Sequence, residues 1–305
     1  MNEAPNAMDT TIIVPTYRRA ALLERCLDSL RAQKNRHGRT EIIVVDNDPA
    51  GSARPVCDRF FKVFAAMDVA FYAAVEPSTG VSHARNRGIA LANHDILCFI
   101  DDDERAAEGW LERLTAPFRE LGCAVAMVGG EVDPDFGESA RPDWLADDIL
   151  HMLSCHWGWD TQPRFLKAGE WFGEGNCAVR KAILPPAPFR ADLGRSGEDL
   201  TGGEGVVFLE LRAGGHAAYY APDARVSHHI HPERLSRSWI LRRMYHAGQS
   251  DVVAHRDSKV LGHTIPSVRV NLAALAGLDL DAMPHEEFRM LAGTVYNIGY
   301  CLGKF

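Results

Sequence analysis

The sequence predicts an α/β fold in which a mostly parallel sheet carries helices on both faces. Over the first 130 residues, short β-branched runs alternate with segments of helical periodicity, which is the order that parallel sheets require. The 305 residues are 46% hydrophobic and 24% charged, which is ordinary for a soluble globular chain with a sizeable core. No run of ~18 uncharged apolar residues occurs, so no membrane-spanning helix is expected.

The elements of this first half follow each other in a regular order. Thr11–Pro15 is a buried strand by its β-branched run, and Ala20–Gln33 has apolar residues at helical spacing. The alternation then continues through strand Glu41–Val45, helix Val56–Met67, strand Val69–Val75, a helix from Gly80 to Leu91, strand Asp95–Ile100, helix Trp110–Leu121 and strand Cys123–Val128. Because ligands of such sheets bind at the carboxyl ends of the strands, the interesting segments are Pro15–Arg19, Asp46–Asp48 and Asp101–Glu104.

The pattern loosens beyond about Asp133, where the chain is rich in Pro, Gly, Asp and Trp. Helical periodicity returns in Gly205–Arg212. The remaining expected elements are strand-like runs at Ala217–Ala221 and Ala224–Ser227 and helices near Pro232–Gly248, Pro266–Leu278 and His285–Gly303. With no flexible linker in this region, the two halves are expected to be lobes of one domain.

Charge and cysteine usage exclude several classes of protein. Lys and Arg number 33 against 41 Asp and Glu, a net charge of −8, so a general nucleic-acid binder is not expected. The seven cysteines are scattered and form no C-x-x-C motif, which is typical of reduced thiols in the cytoplasm. The N-terminus lacks the apolar region of a secretory signal. We expect a cytoplasmic protein with at most weak peripheral contact with the membrane, since a strongly basic helix face is missing.

The acidic run Asp101–Glu104 is the strongest chemical signal. It follows an apolar strand, and consecutive carboxylates at a strand end are stabilised by a counter-cation such as Mg²⁺ or Mn²⁺. A solvated acidic turn before the helix near Glu108 is the alternative. The position at the ligand edge of a parallel sheet favours the metal site.

Two further segments suggest recognition of a nucleotide. A glycine opens the helix that carries Arg85 and Arg87, an arrangement that suits phosphate or ribose, although an ordinary cationic helix face has the same pattern. Asp46 could accept a hydrogen bond from a base N–H or form a turn beside Pro49. A dinucleotide-binding fingerprint is excluded, because Pro15–Arg19 stands where G-x-G-x-x-G would be needed.

Taken together, Thr11–Leu30, Glu41–Pro49 and Glu76–Glu104 resemble the family-2 glycosyltransferases. The resemblance implies a GT-A-like, Rossmann-type fold and an inverting transfer of sugar from a nucleotide-diphosphate-sugar donor to an acceptor hydroxyl, with Mn²⁺ or Mg²⁺. It implies a nucleotide-sugar-binding lobe over residues 1–130, an acceptor and catalytic lobe over 131–250 and a C-terminal helical segment over 251–305. The implied acceptor is a glycan, a lipid-linked glycan or a small molecule, in glycan or polysaccharide synthesis.

The resemblance also implies roles for individual residues. Asp103 matches the metal ligand of the family's D-x-D region, and Asp101 or Asp102 matches its ribose contact. The residues that match its nucleotide-binding positions are Pro15, Tyr17, Arg18, Asp46, Arg85, Asp101 and Asp102.

Three segments of the second half match more weakly. Phe172–Arg180 resembles the family's G-x-x-N-x-x-x-R segment, which implies that Asn176 lies beside the donor sugar. Trp171 and the other aromatic residues between 144 and 172 could line a sugar groove or simply pack the second lobe. Arg225–Ile230 resembles a segment whose histidine approaches the metal or the diphosphate, which implies His228. Strand alternation puts His229 on the opposite face.

The expected catalytic acid departs from the family pattern. The family places two acids after a glycine, whereas this chain reads Gly203-Glu204-Gly205, so the second acid is missing. Glu204 is the nearest surviving carboxylate for the general base, with Glu198 and Asp199 close in sequence. An acid at a helix N-terminus is the alternative for Glu204. The missing acid keeps a catalytically weak or non-enzymatic nucleotide-sugar binder open as an alternative function. A nucleotidyltransferase is a further alternative.

Overall fold

A computed structural model of the chain describes residues 8–156, 159, 161–167, 170–193, 205–256 and 278–302, with only the backbone for 253–256. The strands in this part of the chain are β1 (Thr10–Thr16), β2 (Thr40–Asp46), β3 (Ala70–Val75), β4 (Ile96–Phe99), β5 (Glu104–Ala106), β6 (Met127–Asp135), β7 (Arg164–Phe165), β8 (Cys177–Arg180) and β9 (Ala218–His229). The α-helices are α1 (Ala20–Arg31), α2 (Arg54–Ala65), α3 (Val81–Leu91), α4 (Trp110–Glu120), α5 (Val206–Ala213), α6 (Arg237–Arg256) and α7 (His285–Leu302).

The strands build one sheet in the order β3-β2-β1-β4-β8-β6-β9-β5, and β7 pairs with β9. The first four strands of this order are parallel to one another, as the alternation of strands and helices predicts. Beyond β4 the sheet becomes mixed, because β8 runs antiparallel to both β4 and β6 while β6 and β9 are parallel. The α/β class with a central, mostly parallel sheet is therefore confirmed.

Alternate residues of the central strands bury opposite faces of the sheet. Ile12 and Val14 of β1 pack with α1, α2 and α4 on one face. Their neighbour Ile13 packs with α3 and α5 on the other face. A sheet that is buried on both faces explains why β1, β2 and β4 read as continuous apolar runs in the sequence.

Beyond residue 120, some elements have other bounds than the sequence predicts. The strand expected at Cys123–Val128 begins later, since Gly122–Ala124 forms a 3-10 turn before β6. The two short runs expected after residue 217 form the single long strand β9, whose pairing with β6 shifts register between Gly130 and Val132. The helix expected at Pro266–Leu278 falls almost wholly outside the described residues.

Strand β6 crosses residue 130, so the two lobes share one sheet. Their division at residue 130 stays a prediction about function. The last two helices, α6 and α7, pack closely where Gly248 of one lies against the backbone of Tyr296 and Gly299 of the other lies against the backbone of Tyr245. Among the described residues, no helix is both long and apolar enough to cross a membrane.

Candidate active site

The site lies at the sheet edge where β1, β2 and β4 end. Thr16 at the end of β1 pairs with Asp46 at the end of β2, and Phe99 at the end of β4 pairs with Cys177 at the start of β8. Because β8 is antiparallel, the turn that precedes it, residues 173–176, comes to the same edge as the acidic run after β4. Loops from both halves of the chain therefore meet there.

Asp102 is held in the interior of the edge. Its carboxylate accepts a hydrogen bond of 2.7 Å from the Thr16 hydroxyl and one of 3.1 Å from the Arg19 guanidinium. Burial and the adjacent Asp103 charge raise the pKa of Asp102 to about 7, although Arg19 acts in the opposite direction. Asp102 is therefore a buried anchor that ties the acidic run to β1.

Asp103 is surrounded by cationic groups. Its Oδ2 lies 2.9 Å from Arg19 Nη1, 3.7 Å from His228 Nε2 and 3.8 Å from Arg234 Nη2. Burial disfavours the ionised carboxylate, but His228, Arg19 and Arg234 outweigh burial and lower the pKa of Asp103 well below its usual value. Asp103 is thus an anion at neutral pH, the form that binds a metal or pairs with a cation.

The residues around Asp103 fit a divalent ion. His228 Nε2 lies 3.7 Å from Asp103 Oδ2 and 3.2 Å from Arg234 Nη1, so the imidazole stands between the carboxylate and the guanidinium. Asp103 Oδ2 and His228 Nε2, which lie 3.7 Å apart, are the atoms that would hold such an ion. A carboxylate with an imidazole suits Mn²⁺ or a similar ion.

Asp101 lies on the outer side of the run and is paired with a buried cation. Arg85 Nη2 is 2.8 Å from Asp101 Oδ1, and only 2% of the Arg85 side chain is exposed. The Asp101 amide donates to Glu104 Oε2 at 3.1 Å. Burial, followed by the charges of Asp101 and Asp103, raises the pKa of Glu104 well above its usual value. The structure brings Asp101, Asp102, Asp103, Arg85 and His228 together at this edge, and their roles in binding a nucleotide and a metal stay predictions.

The segment after β1 presents Tyr17 and Arg18 to this edge. Pro15 is buried within β1, whereas Tyr17 is half-buried and the Arg18 guanidinium stacks 5.0 Å from the centre of its ring. Arg18 adopts a left-handed backbone conformation with φ of 56° and pairs with Asp48 at 3.1 Å. This arrangement leaves an aromatic ring and a surface cation beside the acidic run.

Asp46 acts as a turn former in this structure. Its Oδ1 accepts from the Asp48 amide at 3.0 Å and its Oδ2 from the Ala53 amide at 2.7 Å. The buried carboxylate thus holds the loop between β2 and α2. A contact from Asp46 to a nucleotide base stays a prediction.

Asn176 is engaged entirely within the protein. Its Oδ1 accepts from Trp110 Nε1 at 2.7 Å, and its Nδ2 donates to the carbonyls of Glu131 and Ala224, each at 2.8 Å. These contacts make Asn176 a brace between α4, β6 and β9 that fixes the turn before β8. A contact with the donor sugar stays a prediction, and the geometry gives the side chain this bracing role first.

Trp171 is half-buried in the core of the second lobe. Its ring stacks on Phe208 of α5, with ring centres 4.9 Å apart and an angle of 18° between the planes. Trp144 and Trp159 pack edge-to-face on other aromatic rings, those of Phe288 and Tyr220 respectively. The contacts of these rings are those of lobe packing, and a role for Trp171 in binding sugar stays a prediction.

Glu204 and Asp199 lie outside the described residues, but Gly205 is described. It is buried and precedes α5, and the space that a side chain would take there is filled by the carboxylate of Glu174. Sequence reasoning missed this contact because nothing in the pattern links residue 174 to residue 205. The absence of the second acid was the available signal.

A second group of possible ligands lies on and beside β6. Glu131, Asp133 and His156 offer atoms that lie within 4.8 Å of one another. Each carboxylate already has a partner in the protein, since His156 and Tyr220 donate to Glu131 while Arg225 pairs with Asp133. The acids alternate along a strand, which is the sequence signal that could have identified them.

The cations Arg19 and Arg234 were also missed from the sequence. Arg19 belongs to the singled-out segment Pro15–Arg19, so its position at a strand end was the available signal. Arg234 lies in a 3-10 turn after β9 and reaches Asp103 only through the tertiary fold. Nothing local in the sequence marks it.

Comparisons with known proteins agree on one family. Residues 11–183 match the model of glycosyl transferase family 2. The chain is 28% identical over 240 residues to the succinoglycan biosynthesis protein ExoM of Rhizobium meliloti, covering 78% of this chain and 72% of that protein. It is 24% identical over 248 residues to the glucosyl-dolichyl phosphate glucuronosyltransferase of Haloferax volcanii, covering 80% and 76% of the two chains.

Among solved structures, the fold matches a mannosyltransferase of Pyrobaculum calidifontis in complex with GDP-Man and Mn²⁺. The TM-score is 0.62 at 19% identity, and the match covers 96% of this chain and 86% of the other. At this identity the likeness concerns the fold, which is GT-A-type. The family model spans more than half of the chain and agrees with that fold, so the chain belongs to glycosyl transferase family 2 and is a glycosyltransferase.

Proposed function

We propose that this enzyme transfers a sugar, with inversion, from a nucleotide-diphosphate-sugar to an acceptor hydroxyl, using Mn²⁺ or Mg²⁺, in glycan or polysaccharide synthesis. The observation that carries the proposal is the acidic run Asp101–Asp103 at the carboxyl edge of the parallel sheet. Within it, an ionised Asp103 has the imidazole nitrogen Nε2 of His228 at 3.7 Å from its Oδ2. This is the arrangement that a diphosphate and its cation need.

On the donor side, Asp103 and His228 would hold the ion, which neutralises charge on the diphosphate. The chain supplies its own cations at the same place, since Arg19 and Arg234 both lie within 4 Å of Asp103. They stabilise the negative charge that develops as the nucleoside diphosphate leaves. Asp101 or Asp102 contacts the ribose, and Pro15, Tyr17, Arg18, Asp46 and Arg85 surround the nucleotide in this proposal.

On the acceptor side, the reaction needs a carboxylate that removes the proton of the attacking hydroxyl. Such a base contributes about 10²–10⁴ to the rate. The sequence supplies Glu204 and Asp199 as candidates beside Gly205. The acceptor and the donor sugar would lie near Trp171 and the turn that Asn176 braces, between the sheet edge and α5.

The relatives support a glycan or a lipid-linked acceptor. One acts in the biosynthesis of succinoglycan, and another is named as a transferase onto glucosyl-dolichyl phosphate. We propose a cytoplasmic location with at most peripheral contact with the membrane. The seven cysteines support a reducing compartment, since all are free thiols.

Thermal unfolding tests the donor first. GDP-mannose, UDP-glucose and UDP-N-acetylgalactosamine are each added with and without Mn²⁺, and a bound donor at a hundred times its Kd stabilises the fold by about 2.7 kcal/mol. The matched donor is then incubated with the enzyme, and release of the nucleoside diphosphate is measured. A shift with no release would indicate a binder, and release of pyrophosphate from nucleoside triphosphates would indicate a nucleotidyltransferase.

A further inference from the structure

Gly205 leaves a space in which the family has an acid, and another part of the chain fills it. The residue is buried and has φ of −74°, a conformation that any side chain could adopt. A Cβ atom built on Gly205 would overlap Glu174 Oε1 and would lie 2.7 Å from Glu174 Cδ. The carboxylate of Glu174 therefore stands in the space of the missing side chain.

Glu174 is delivered to this place by a rigid turn. Two residues later, Asn176 is fixed by hydrogen bonds to three different elements. The intervening Gly175 is pressed against Glu104, since a Cβ atom there would lie 2.7 Å from Glu104 Oε1. Glu104 in turn accepts from the Asp101 amide. The Glu174 turn is thus packed directly on the acidic run.

The start of α5 is also a favourable place for an ionised carboxylate. Gly205 precedes α5, and it provides no side-chain oxygen to cap the amides of the first turn. The positive end of the helix dipole stabilises a carboxylate nearby. A base has to be unprotonated before the acceptor arrives, and the positive end of α5 contributes to stabilising that form.

We propose that Glu174 replaces the missing acid and is the catalytic base of this enzyme; the proposal rests on the transferase function proposed above. As the acceptor oxygen bonds to the anomeric carbon, its proton passes to the Glu174 carboxylate. The bond from the anomeric carbon to the diphosphate oxygen breaks, and its electron pair stays on the departing nucleoside diphosphate. The family supplies this acid at the start of α5, whereas this chain supplies it from the turn before β8, and the carboxylate occupies the same position in space.

Turnover tests the chemical half of the proposal. Release of nucleoside diphosphate is measured with Mn²⁺ and GDP-mannose, UDP-glucose or UDP-N-acetylgalactosamine, with water as the acceptor. We expect E174Q to lower kcat about a hundredfold with the donor KM within threefold, since the base acts only in the transition state. E210Q, which changes an exposed glutamate on α5, is the matched control and should behave as wild type.

Relocation of the acid makes the test specific. E174G removes the carboxylate and vacates the space, and E174G/G205D returns an acid to the family position. We expect the double variant to be at least about tenfold more active than E174G. E204Q is the competing arm: a greater loss of kcat in E204Q than in E174Q overturns the proposal. So does an E174Q enzyme that keeps kcat within threefold of wild type.

Thermal unfolding tests the geometric half, whether or not turnover is found. In the wild-type background, G205D forces two carboxylates into one space, so Tm should fall by several degrees. In the E174G background the same substitution should cost little, and this coupling is what a double-mutant cycle detects. Equal losses of Tm in both backgrounds would show that the Glu174 carboxylate does not occupy the space of a side chain at residue 205, and would overturn the proposal. Wild-type enzyme that releases no nucleoside diphosphate contradicts the proposed function instead, and the cycle still reports on Glu174.

Discussion

The bracing role of Asn176 makes a quantitative prediction about N176A. The side chain satisfies the indole N–H of Trp110 and the carbonyls of Glu131 and Ala224, and both Trp110 and Asn176 are buried. Each polar group left unsatisfied in the interior costs about 1–3 kcal/mol. A single water in the vacated space would recover part of this. We therefore expect N176A to lose about 4 kcal/mol of unfolding free energy.

Urea denaturation followed by circular dichroism measures this loss, and the slope of the transition should stay unchanged. In thermal unfolding the same change corresponds to a fall in Tm of about 10 °C. N176D is the isosteric companion and should be at least as unstable, because its oxygen faces two carbonyls and its charge is buried. N297A, on the half-buried face of α7, is the control for loss of an asparagine.

A different result would refute the reasoning. The unfolding free energy of N176A could stay within about 1 kcal/mol of wild type while the donor KM rises tenfold or more. The carboxamide would then bind the donor and would not stabilise the fold. The three hydrogen bonds of the Asn176 carboxamide would then be exchanged for contacts with the donor.

Three further predictions concern the metal, the core and the membrane. D103N should remove Mn²⁺-dependent binding of GDP or UDP in calorimetry while the protein stays folded. D28N, at an exposed position of α1, should leave that binding unchanged. Unchanged metal-dependent affinity in D103N would remove Asp103 from the site. G129A should cost about 2 kcal/mol in urea, because its methyl group would overlap the Phe172 ring, and F172L should relieve part of that cost. After a high-salt wash most of the protein should be in the supernatant, and quantitative recovery in the membrane fraction would contradict this.

The parallel half of the fold could be predicted because its strands are buried on both faces. Such strands read as apolar runs, and the helices between them show one apolar face, so β1, β2, β4 and α1 could be identified from the pattern alone. Strands β5 and β8 were missed because three or four residues are too short to show a period, and each includes a charged residue, unlike the uninterrupted apolar run of the equally short β4. The long β9 was divided in the prediction since Pro222 and Asp223 resemble a turn, whereas the register shift in β6 accommodates them.

The residues of the site also fall into two groups, those that the sequence pattern predicts and those that it does not. Asp101, Asp102 and Asp103 are adjacent in sequence and follow a strand, so both their proximity and their edge position could be predicted. Arg234 and Glu174 come from distant segments, and tertiary packing alone brings them to Asp103 and Gly205. The local pattern shows which chemistry is assembled at the edge, and the antiparallel strands determine which distant side chains join it.

The antiparallel placement of β8 beside β4 has a consequence for how such an enzyme can change over evolution. Cys177 opens β8 opposite Phe99, the last residue of β4, so two loops separated by about seventy positions of chain share one rim. A carboxylate that is lost from one loop can then be replaced by one from a neighbouring loop. The residues proposed to bind the metal need no accompanying change. Sequence surveys that require an acid at one fixed alignment column would classify such a chain as inactive. A survey by spatial position would retain it.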